Sequence, residues 1–240
     1  MSNYGVFARY YDRLCKNVDY EVRSDYISGF FNAEGISGGK LLDLACGTGE
    51  FSRIFSSKGY YVTAMDLSED MLTVAKSKAP QVNFIKGDIT DFDFNNSFDA
   101  CICCLDSINH LIKPEMWQSC FSSVSKSLKS GGMFVFDVNT VYKHKNILSG
   151  HSFVFDEDDF FLAWDNEGIN DNLVRIFLDF FVYNGKSYDR YSECFDELAL
   201  DSKEILSMLN DFEVLGIYND LSTEPENAES ERLYFICKRK

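Results

Sequence analysis

The sequence predicts an α/β fold, a doubly wound and mostly parallel seven-stranded sheet with a small antiparallel sheet inserted into it. Over the first 140 residues, short apolar runs rich in Val, Ile, Phe and Cys alternate with segments of helical spacing. Such runs are typical of strands buried on both faces of a parallel sheet. After about residue 150 the helical spacing stops and strand-like runs follow one another. A length of 240 residues suffices for one large domain that carries such an insertion.

The predicted main sheet takes its strands from both halves of the chain. Its seven apolar runs are residues 41–45, 60–65, 82–85, 98–104, 133–138, 212–218 and 232–238. Predicted helices are 50–58, 68–78, 115–129 and 201–210. Gly131 and Gly132 are expected to end the third of these helices, and Asp201 with Glu204 predicts a capping box at the start of the fourth. Alternation of strand and helix implies right-handed crossovers and therefore parallel strands.

Residues 151–199 are predicted to form the inserted antiparallel sheet. Its strands are predicted at 152–155, 160–164, 173–183 and 188–198. Asn184-Gly185 is a signal for a two-residue hairpin between the last two strands. Residues 1–150 and 200–240 would then form one domain around the insertion.

The composition restricts the partners of this chain. Lys and Arg number 23 against 38 Asp and Glu, a net charge of −15, so that binding to nucleic acid is not expected. Small neutral or cationic partners are favoured. No signal peptide and no apolar run of the ~20 residues that a spanning helix needs is found. Five of the eight cysteines, namely Cys46, Cys101, Cys103, Cys104 and Cys237, lie in apolar runs, which predicts free thiols and a cytoplasmic location.

A glycine loop, Leu-Asp-Leu-Ala-Cys-Gly-Thr-Gly over residues 42–49, joins the first strand to a helix. Gly47 and Gly49 allow backbone to approach a ligand closely, and the helix start favours electron-rich groups. A phosphate-binding Walker loop is excluded because Gly-Lys-Ser/Thr is missing. A dinucleotide loop is disfavoured because Ser52 stands where its third glycine is expected. A glycine turn without a ligand stays open as the structural alternative.

This stretch resembles the first motif of the class I S-adenosylmethionine-dependent methyltransferases, almost letter for letter. S-adenosylmethionine has no phosphate and needs fewer glycines, and its cationic amino group suits a carboxylate such as Asp43. The resemblance implies S-adenosylmethionine as the cofactor and a Rossmann-like class I methyltransferase fold. The implied contacts of the loop are Asp43, Ala45, Cys46, Gly47 and Gly49.

Two further acids support the same resemblance. Asp66 lies 17 residues beyond Gly49 at the end of the second strand, where the family holds the ribose, with Leu67 and Met71 flanking the adenine. Asp88 ends the third strand, where the family binds the adenine amino group and the amide of Ile89 meets a ring nitrogen. The alternatives are a helix cap at Asp66 and a simple turn at Asp88.

The predicted contacts to the methyl acceptor follow the fourth strand, from Asp106 to His110, and Leu105 at the end of that strand is a predicted cofactor contact. His110 is a candidate general base; the alternative is a histidine at a helix start that bonds to backbone. Asp106 and Asn109 either hold the acceptor or order the loop. The Asn/Asp-Pro-Pro-Tyr signature of adenine, cytosine and glutamine-amide methyltransferases is missing. The CxxC spacing of Cys101 and Cys104 is not expected to bind metal, because residues of such spacing on a strand point to opposite faces.

The aromatic N-terminal segment resembles the Tyr-Asp arm of small-molecule methyltransferases. It predicts a helical lid over residues 1–36, in which tyrosine hydroxyls contact the methionine carboxylate. Tyr11 is the first candidate, also as a catalytic residue, followed by Tyr4 and Tyr20. Simple aromatic packing of a terminal helix is the alternative for each.

A sheet inserted at this position also occurs in amino-sugar N-methyltransferases and in uncharacterised bacterial methyltransferases. The resemblance therefore implies methyl transfer to nitrogen or oxygen of a small molecule, by a monomer or homodimer. The insertion would form a substrate wall or a dimer contact. Methylation of RNA or protein, and a non-catalytic binding module, remain as alternatives.

Overall fold

The computed structural model describes residues 4–240, with side chains from Phe7 onward. The helices are α1 Tyr4–Leu14, α2 Tyr20–Ala33, α3 Glu50–Ser57, α4 Glu69–Lys78, α5 Pro114–Ser127, α6 Val141–Lys143 and α7 Ser202–Met208. The strands are β1 Gly39–Leu44, β2 Tyr60–Asp66, β3 Asn83–Lys86, β4 Phe98–Cys103, β5 Leu128–Asn139, β6 Ser152–Asp156, β7 Phe160–Gly168, β8 Leu173–Tyr183, β9 Tyr188–Leu198, β10 Phe212–Asn219 and β11 Arg232–Arg239. None of these helices is long and apolar enough to cross a membrane.

The main sheet confirms the predicted doubly wound fold. Its strand order is β10-β11-β5-β4-β1-β2-β3, and β11 is antiparallel to both of its neighbours while the others run parallel. Apolar side chains alternate between its two faces, so that Cys101 packs in one buried cluster and Cys104 in the other. The two thiols therefore cannot share a ligand, and all eight cysteines are free.

The prediction that Gly131 and Gly132 end a helix was wrong. Helix α5 ends at Ser127, and both glycines lie inside β5. A Cβ on Gly132 would come within 2.9 Å of the Lys129 carbonyl oxygen and 3.2 Å of the Asp99 carbonyl oxygen. The pairing of β4 with β5 shifts register at this point, so the glycines serve a bulge between two closely packed strands.

The inserted sheet is antiparallel in the order β6-β7-β8-β9. The predicted hairpin between β8 and β9 is confirmed, but its loop spans residues 184–187 rather than two residues. The side-chain oxygen of Asn184 accepts hydrogen bonds from the backbone N–H groups of Lys186, at 3.1 Å, and Ser187, at 2.9 Å. Asn184 thus stabilises a longer turn by capping it from within.

The two N-terminal helices pack in different places. Helix α2 belongs to the main core, where Ile27 and Phe31 are fully buried. Helix α1 lies against the inserted sheet, with the Tyr10 ring 4.8 Å from that of Phe160 and Arg13 in an ion pair with Asp159 at 2.7 Å. The predicted lid over residues 1–36 is thus divided, because α2 is part of the main core and α1 packs on the inserted sheet.

A buried amide, that of Asn109, connects the two sheets. Asn109 lies in a 3-10 turn, Ser107–His110, directly after β4. Its NH₂ group donates to the carbonyl oxygens of Asn139, at 3.1 Å, and Leu198, at 2.9 Å, and its oxygen accepts from the Asn139 N–H at 3.0 Å. The ends of β5 and β9 are thereby joined to the turn, which assigns Asn109 to ordering the loop.

Replacing Asn109 with alanine should destabilise the fold strongly. Asn109→Ala leaves three backbone groups of Asn139 and Leu198 buried without this partner, at a cost of about 3 kcal/mol. Urea unfolding measures the loss. The control is Asn146→Ala, since Asn146 is exposed and bonds only to the Tyr142 carbonyl within its own helical segment; it should change stability by less than about 0.5 kcal/mol. Equal effects of the two substitutions would contradict the assignment.

Candidate active site

Two cavities lie at the carboxyl ends of the parallel strands, where ligands bind open α/β sheets. The larger, of about 1500 Å³, extends from the ends of β1, β2 and β4 to the inserted sheet. The smaller, of about 30 Å³, shares Tyr11, Ala45 and Gly47 with it. Of the predicted cofactor residues, the larger cavity is lined by Tyr11, Ala45, Gly47, Asp66, Leu67, Met71, Asp88, Ile89 and Leu105. The smaller adds Tyr20, Asp43 and Cys46.

The glycine loop keeps its two glycines for different reasons. Gly47 has a φ of 53°, and a Cβ placed on it would meet nothing within 4 Å, so the loop leaves room for a ligand at this point. Gly49 lines neither cavity. Its φ is 79°, and a Cβ there would lie 3.0 Å from Ala75 and from Phe84. Gly49 therefore permits packing of the loop against α4 and β3.

Asp66 fastens the loop to the end of β2. Its carboxylate accepts hydrogen bonds from the backbone N–H groups of Gly47 and Ser68, each at 2.8 Å. The N-cap of α4 is Ser68, whose hydroxyl accepts from Met71 N–H, so Asp66 is not the helix cap. Burial raises the pKa of Asp66 above its usual value. The carboxylate faces the larger cavity, where sugar hydroxyls could supply further donors.

Asp43 is a buried carboxyl beneath the loop. It accepts a hydrogen bond from the hydroxyl of Ser52, the residue in place of a third glycine. Burial raises the pKa of Asp43 to about 7, with Asp66 nearby adding to the effect. A cation in the small cavity would favour the ionised form. Ser52, which replaces the third glycine of the dinucleotide pattern, thus supplies a hydrogen bond to Asp43. A buried carboxyl at this position suits a ligand with an amino group rather than a phosphate.

The opposite end of the cofactor region is apolar and open. Leu67 is 67% exposed and Met71 is buried, and both line the larger cavity, which suits a flat apolar ring placed against them. Asp88 uses one oxygen to accept from the N–H and hydroxyl of Thr90, at 2.8 and 2.7 Å. Asp88 therefore forms the turn and still lines the cavity. These features fit S-adenosylmethionine.

Helix α1 is tied to the glycine loop by Asp12. The Asp12 carboxylate accepts from the Thr48 hydroxyl and from the Lys78 ammonium, which lies at 2.7 Å. Tyr11 and Tyr20 then line the small cavity. Burial raises the pKa of both phenols well above its usual range, so that each remains a hydrogen-bond donor. The side chain of Tyr4 lies outside the described residues.

The loop after β4 is held in an unusual conformation. Leu105 and Asp106 have φ values of 56° and 52°, which non-glycine residues adopt only where their surroundings enforce it. Arg232 supplies that constraint by binding Asp106 at 2.6 Å and also Asp137. Burial opposes ionisation of Asp106, but the Arg232 guanidinium outweighs it and lowers its pKa to about 2. A carboxylate this acidic is a poor proton acceptor, which favours a positioning role for Asp106.

His110 faces the larger cavity. Its ring packs against Phe195 with the centroids 5.0 Å apart, and its Nε2 lies 3.8 Å from a carboxylate oxygen of Glu197. The other oxygen of Glu197 lies 3.7 Å from Nε2 of His144. Desolvation by the cavity walls lowers the pKa of His110 below 6.5, although Asp106 and Asp66 oppose this. The imidazole is therefore neutral at neutral pH and able to accept a proton.

Several residues of the cavity were missed in the sequence. They are Lys143, Glu193, Glu197 and Arg232, and the buried His144 lies beside Glu197. A period-2 pattern in β9 could have shown part of this set, since Glu193, Phe195 and Glu197 share one face of the strand. Arg232 carried no local signal, because its partners lie far away in the chain.

Comparison with known proteins identifies the family of this chain. A family profile described as a methyltransferase domain matches residues 41–132. YqeM of Bacillus subtilis (strain 168), named as a methyltransferase, is 33% identical over 98% of this chain and 97% of its own. The crystal structure of an S-adenosylmethionine-dependent methyltransferase from Clostridium acetobutylicum ATCC 824 is 33% identical, with a TM-score of 0.89 over 98% of both chains.

A relative of stated substrate matches over a shorter stretch. The dTDP-3-amino-3,4,6-trideoxy-alpha-D-glucopyranose N,N-dimethyltransferase of Streptomyces venezuelae is 30% identical over 51% of this chain and 52% of its own.

Removing the Asp66 carboxylate should weaken binding of the cofactor product S-adenosylhomocysteine. Asp66→Ala deletes the acceptor that holds the Gly47 and Ser68 amides. Loss of charged hydrogen bonds of this kind corresponds to a ten- to hundredfold rise in Kd, or about 1.5–3 kcal/mol. Calorimetry measures the change. Asp25→Asn serves as the control, because Asp25 makes an exposed ion pair with Lys58, and it should bind normally. Unchanged affinity of Asp66→Ala would remove Asp66 from the site.

Proposed function

Because this chain belongs to the S-adenosylmethionine-dependent methyltransferases, we propose that it methylates a nitrogen or oxygen atom of a small-molecule acceptor. The observation that carries this proposal is the cavity between the two sheets. Sites for drug-sized ligands measure about 300–1,000 Å³, so a cavity of about 1500 Å³ has room for the cofactor and a second small molecule. The inserted sheet forms its far wall through residues such as Trp164, Leu178 and Phe195. That wall is the proposed acceptor site.

The reaction requires few catalytic side chains, because the methyl donor is already activated. S-adenosylmethionine supplies a methyl group that its sulfonium already activates. The side chains must align the acceptor, exclude water and take up a proton. His110 is the proposed proton acceptor, and the ionised Asp106 nearby, together with Asp66, stabilises the imidazolium that forms. Tyr11, which lines the small cavity, is the proposed hydrogen-bond donor to the methionine carboxylate of the cofactor, and α1, tied to the loop by Asp12, is the proposed lid.

A small acceptor is favoured over a macromolecule. The net charge of −15 repels RNA. Helix α1 packs on the inserted sheet through Tyr10 and Arg13 and lines the larger cavity through Phe7 and Tyr11, which leaves less room for a macromolecule. The Streptomyces relative named for an amino-sugar substrate supports the same class. A purely structural module would not need Asp43, Asp66 and His110 at two adjoining cavities.

The proposal is tested by assaying the purified protein with S-adenosylmethionine and fractionated pools of small metabolites. We expect release of S-adenosylhomocysteine with one or a few pools, together with a methylated product found by mass spectrometry. Turnover with tRNA or protein fractions, and with no small-molecule pool, would overturn the proposal.

Loss of the His110 imidazole should slow the chemical step and spare cofactor binding. With an acceptor from this screen, His110→Ala is expected to reduce kcat about 100-fold, the lower range for a general base. The Kd of this variant for S-adenosylhomocysteine should stay within about threefold of the value for the unsubstituted protein, which corresponds to less than about 1 kcal/mol of binding free energy. His151→Ala is the matched control, since His151 is exposed and outside the cavity. Normal turnover in His110→Ala would exclude the proposed role.

The pH dependence should report the same group. A base acts when deprotonated, and the pKa of His110 is lowered below 6.5. The value of kcat/KM should therefore rise with pH through a midpoint below 6.5. Asp66 and Asp106 face the imidazole and limit the lowering, and Glu197, whose pKa burial raises to about 8, adjoins it. If kcat/KM of His110→Ala still rises with pH through the same midpoint, the titrating group is another residue.

A further inference from the structure

Glu193 is a buried carboxyl group that the proposed reaction does not use. It lies on β9 directly opposite Leu178 of β8, and only 9% of it is exposed. Neither of its carboxylate oxygens has a hydrogen-bond partner among the described residues. Glu193 nevertheless lines the larger cavity. A donor for this carboxylate would therefore have to enter from the cavity.

The protein leaves this group uncompensated. A buried carboxylate without a partner is unfavourable, and here burial alone raises the pKa of Glu193 to about 7. Glu197 on the same face of β9 differs, because His110 and His144 lie beside its two oxygens. Glu193 thus costs stability without serving the fold, which is typical of a residue retained for a ligand.

The fixed cations that line the cavity are engaged elsewhere. Arg175 pairs with Asp196 at 2.7 Å, and Arg232 with Asp106 at 2.6 Å. The ammonium groups of Lys86 and Lys143 are bonded to Glu69, at 3.1 Å, and Asn139, at 2.9 Å. Aromatic side chains flank Glu193 instead, with Phe195 and Tyr191 two residues away on the same face of β9.

We propose that Glu193 anchors a protonated amine carried by the acceptor. A carboxylate beside aromatic rings binds an organic ammonium group by a charge-assisted hydrogen bond and by cation–π contact. Glu193 and Glu197 are four residues apart on one strand, which separates them by about 13 Å. Since Glu197 adjoins His110, the anchored amine is distinct from the atom that receives the methyl group. The acceptor is an elongated molecule with a cationic end, an inference that rests on the proposed small-molecule methylation.

A pair of matched probes tests the anchor. The protein saturated with S-adenosylhomocysteine is titrated by calorimetry with benzylammonium, and separately with neutral benzyl alcohol, at one ionic strength and pH. Benzylammonium should bind saturably and benzyl alcohol at least tenfold more weakly. Glu193→Gln should abolish this preference. Glu167→Gln, which changes an exposed carboxylate of the same sheet outside the cavity, should preserve it.

Thermal unfolding without ligand separates a ligand role from a structural one. Removing an unpaired buried charge should raise the Tm of Glu193→Gln, and of the apolar variant Glu193→Met, by a few degrees. A lowered Tm in both variants, or an equal preference for benzylammonium in Glu193→Gln, overturns the inference. If small acceptors are methylated but the preference does not depend on Glu193, the anchor fails while the proposed function stands. If Glu193 controls amine binding but no small molecule is methylated, the proposed function fails instead.

Discussion

The buried guanidinium of Arg232 is the interaction on which the candidate site depends. It projects from the first residue of β11 and binds Asp106, after β4, and Asp137, in β5. Asp137 is fully buried, and without this cation its charge would be left uncompensated in the core. The same contact holds Leu105 and Asp106 in left-handed conformations. The turn that carries Asn109 and His110 starts from this point, so the last strand determines where the proposed base lies.

This arrangement also divides the acids of the cavity into two electrostatic states. Asp106 is kept ionised by Arg232, whereas burial raises the pKa values of Glu193 and Glu197 to about 7 and about 8. The cavity therefore contains a fixed negative charge, on Asp106, together with carboxyl groups that change their protonation near neutral pH. Separation of this kind allows neighbouring residues to take different roles in one reaction. His110 is neutral and lies beside Glu197, one of the groups that change protonation near neutral pH.

Local patterns in the sequence were sufficient for the fold and for the position of the glycine loop at the strand ends. Alternating apolar runs predict the parallel sheet and place the glycine loop and Asp66 at strand ends. The structure adds the hydrogen bond from the Gly47 N–H to Asp66. Prediction failed where distant segments meet. Gly131 and Gly132 resemble a helix stop until β4 is packed against them. Arg232 and Glu193 acquire their meaning from strand register and from a cavity wall, neither of which a local window contains.

A crystal structure of the protein with bound S-adenosylhomocysteine tests the proposed positions of the cofactor and the acceptor most directly. We predict that its amino-acid end occupies the small cavity beside Tyr11, Tyr20 and Asp43 and that its adenine lies against Leu67. The sulfur atom should then open into the larger cavity, on the side of His110 and the inserted sheet. A sulfur atom that faces away from His110, or a cavity in which the inserted sheet does not border the space next to the sulfur, would contradict the account.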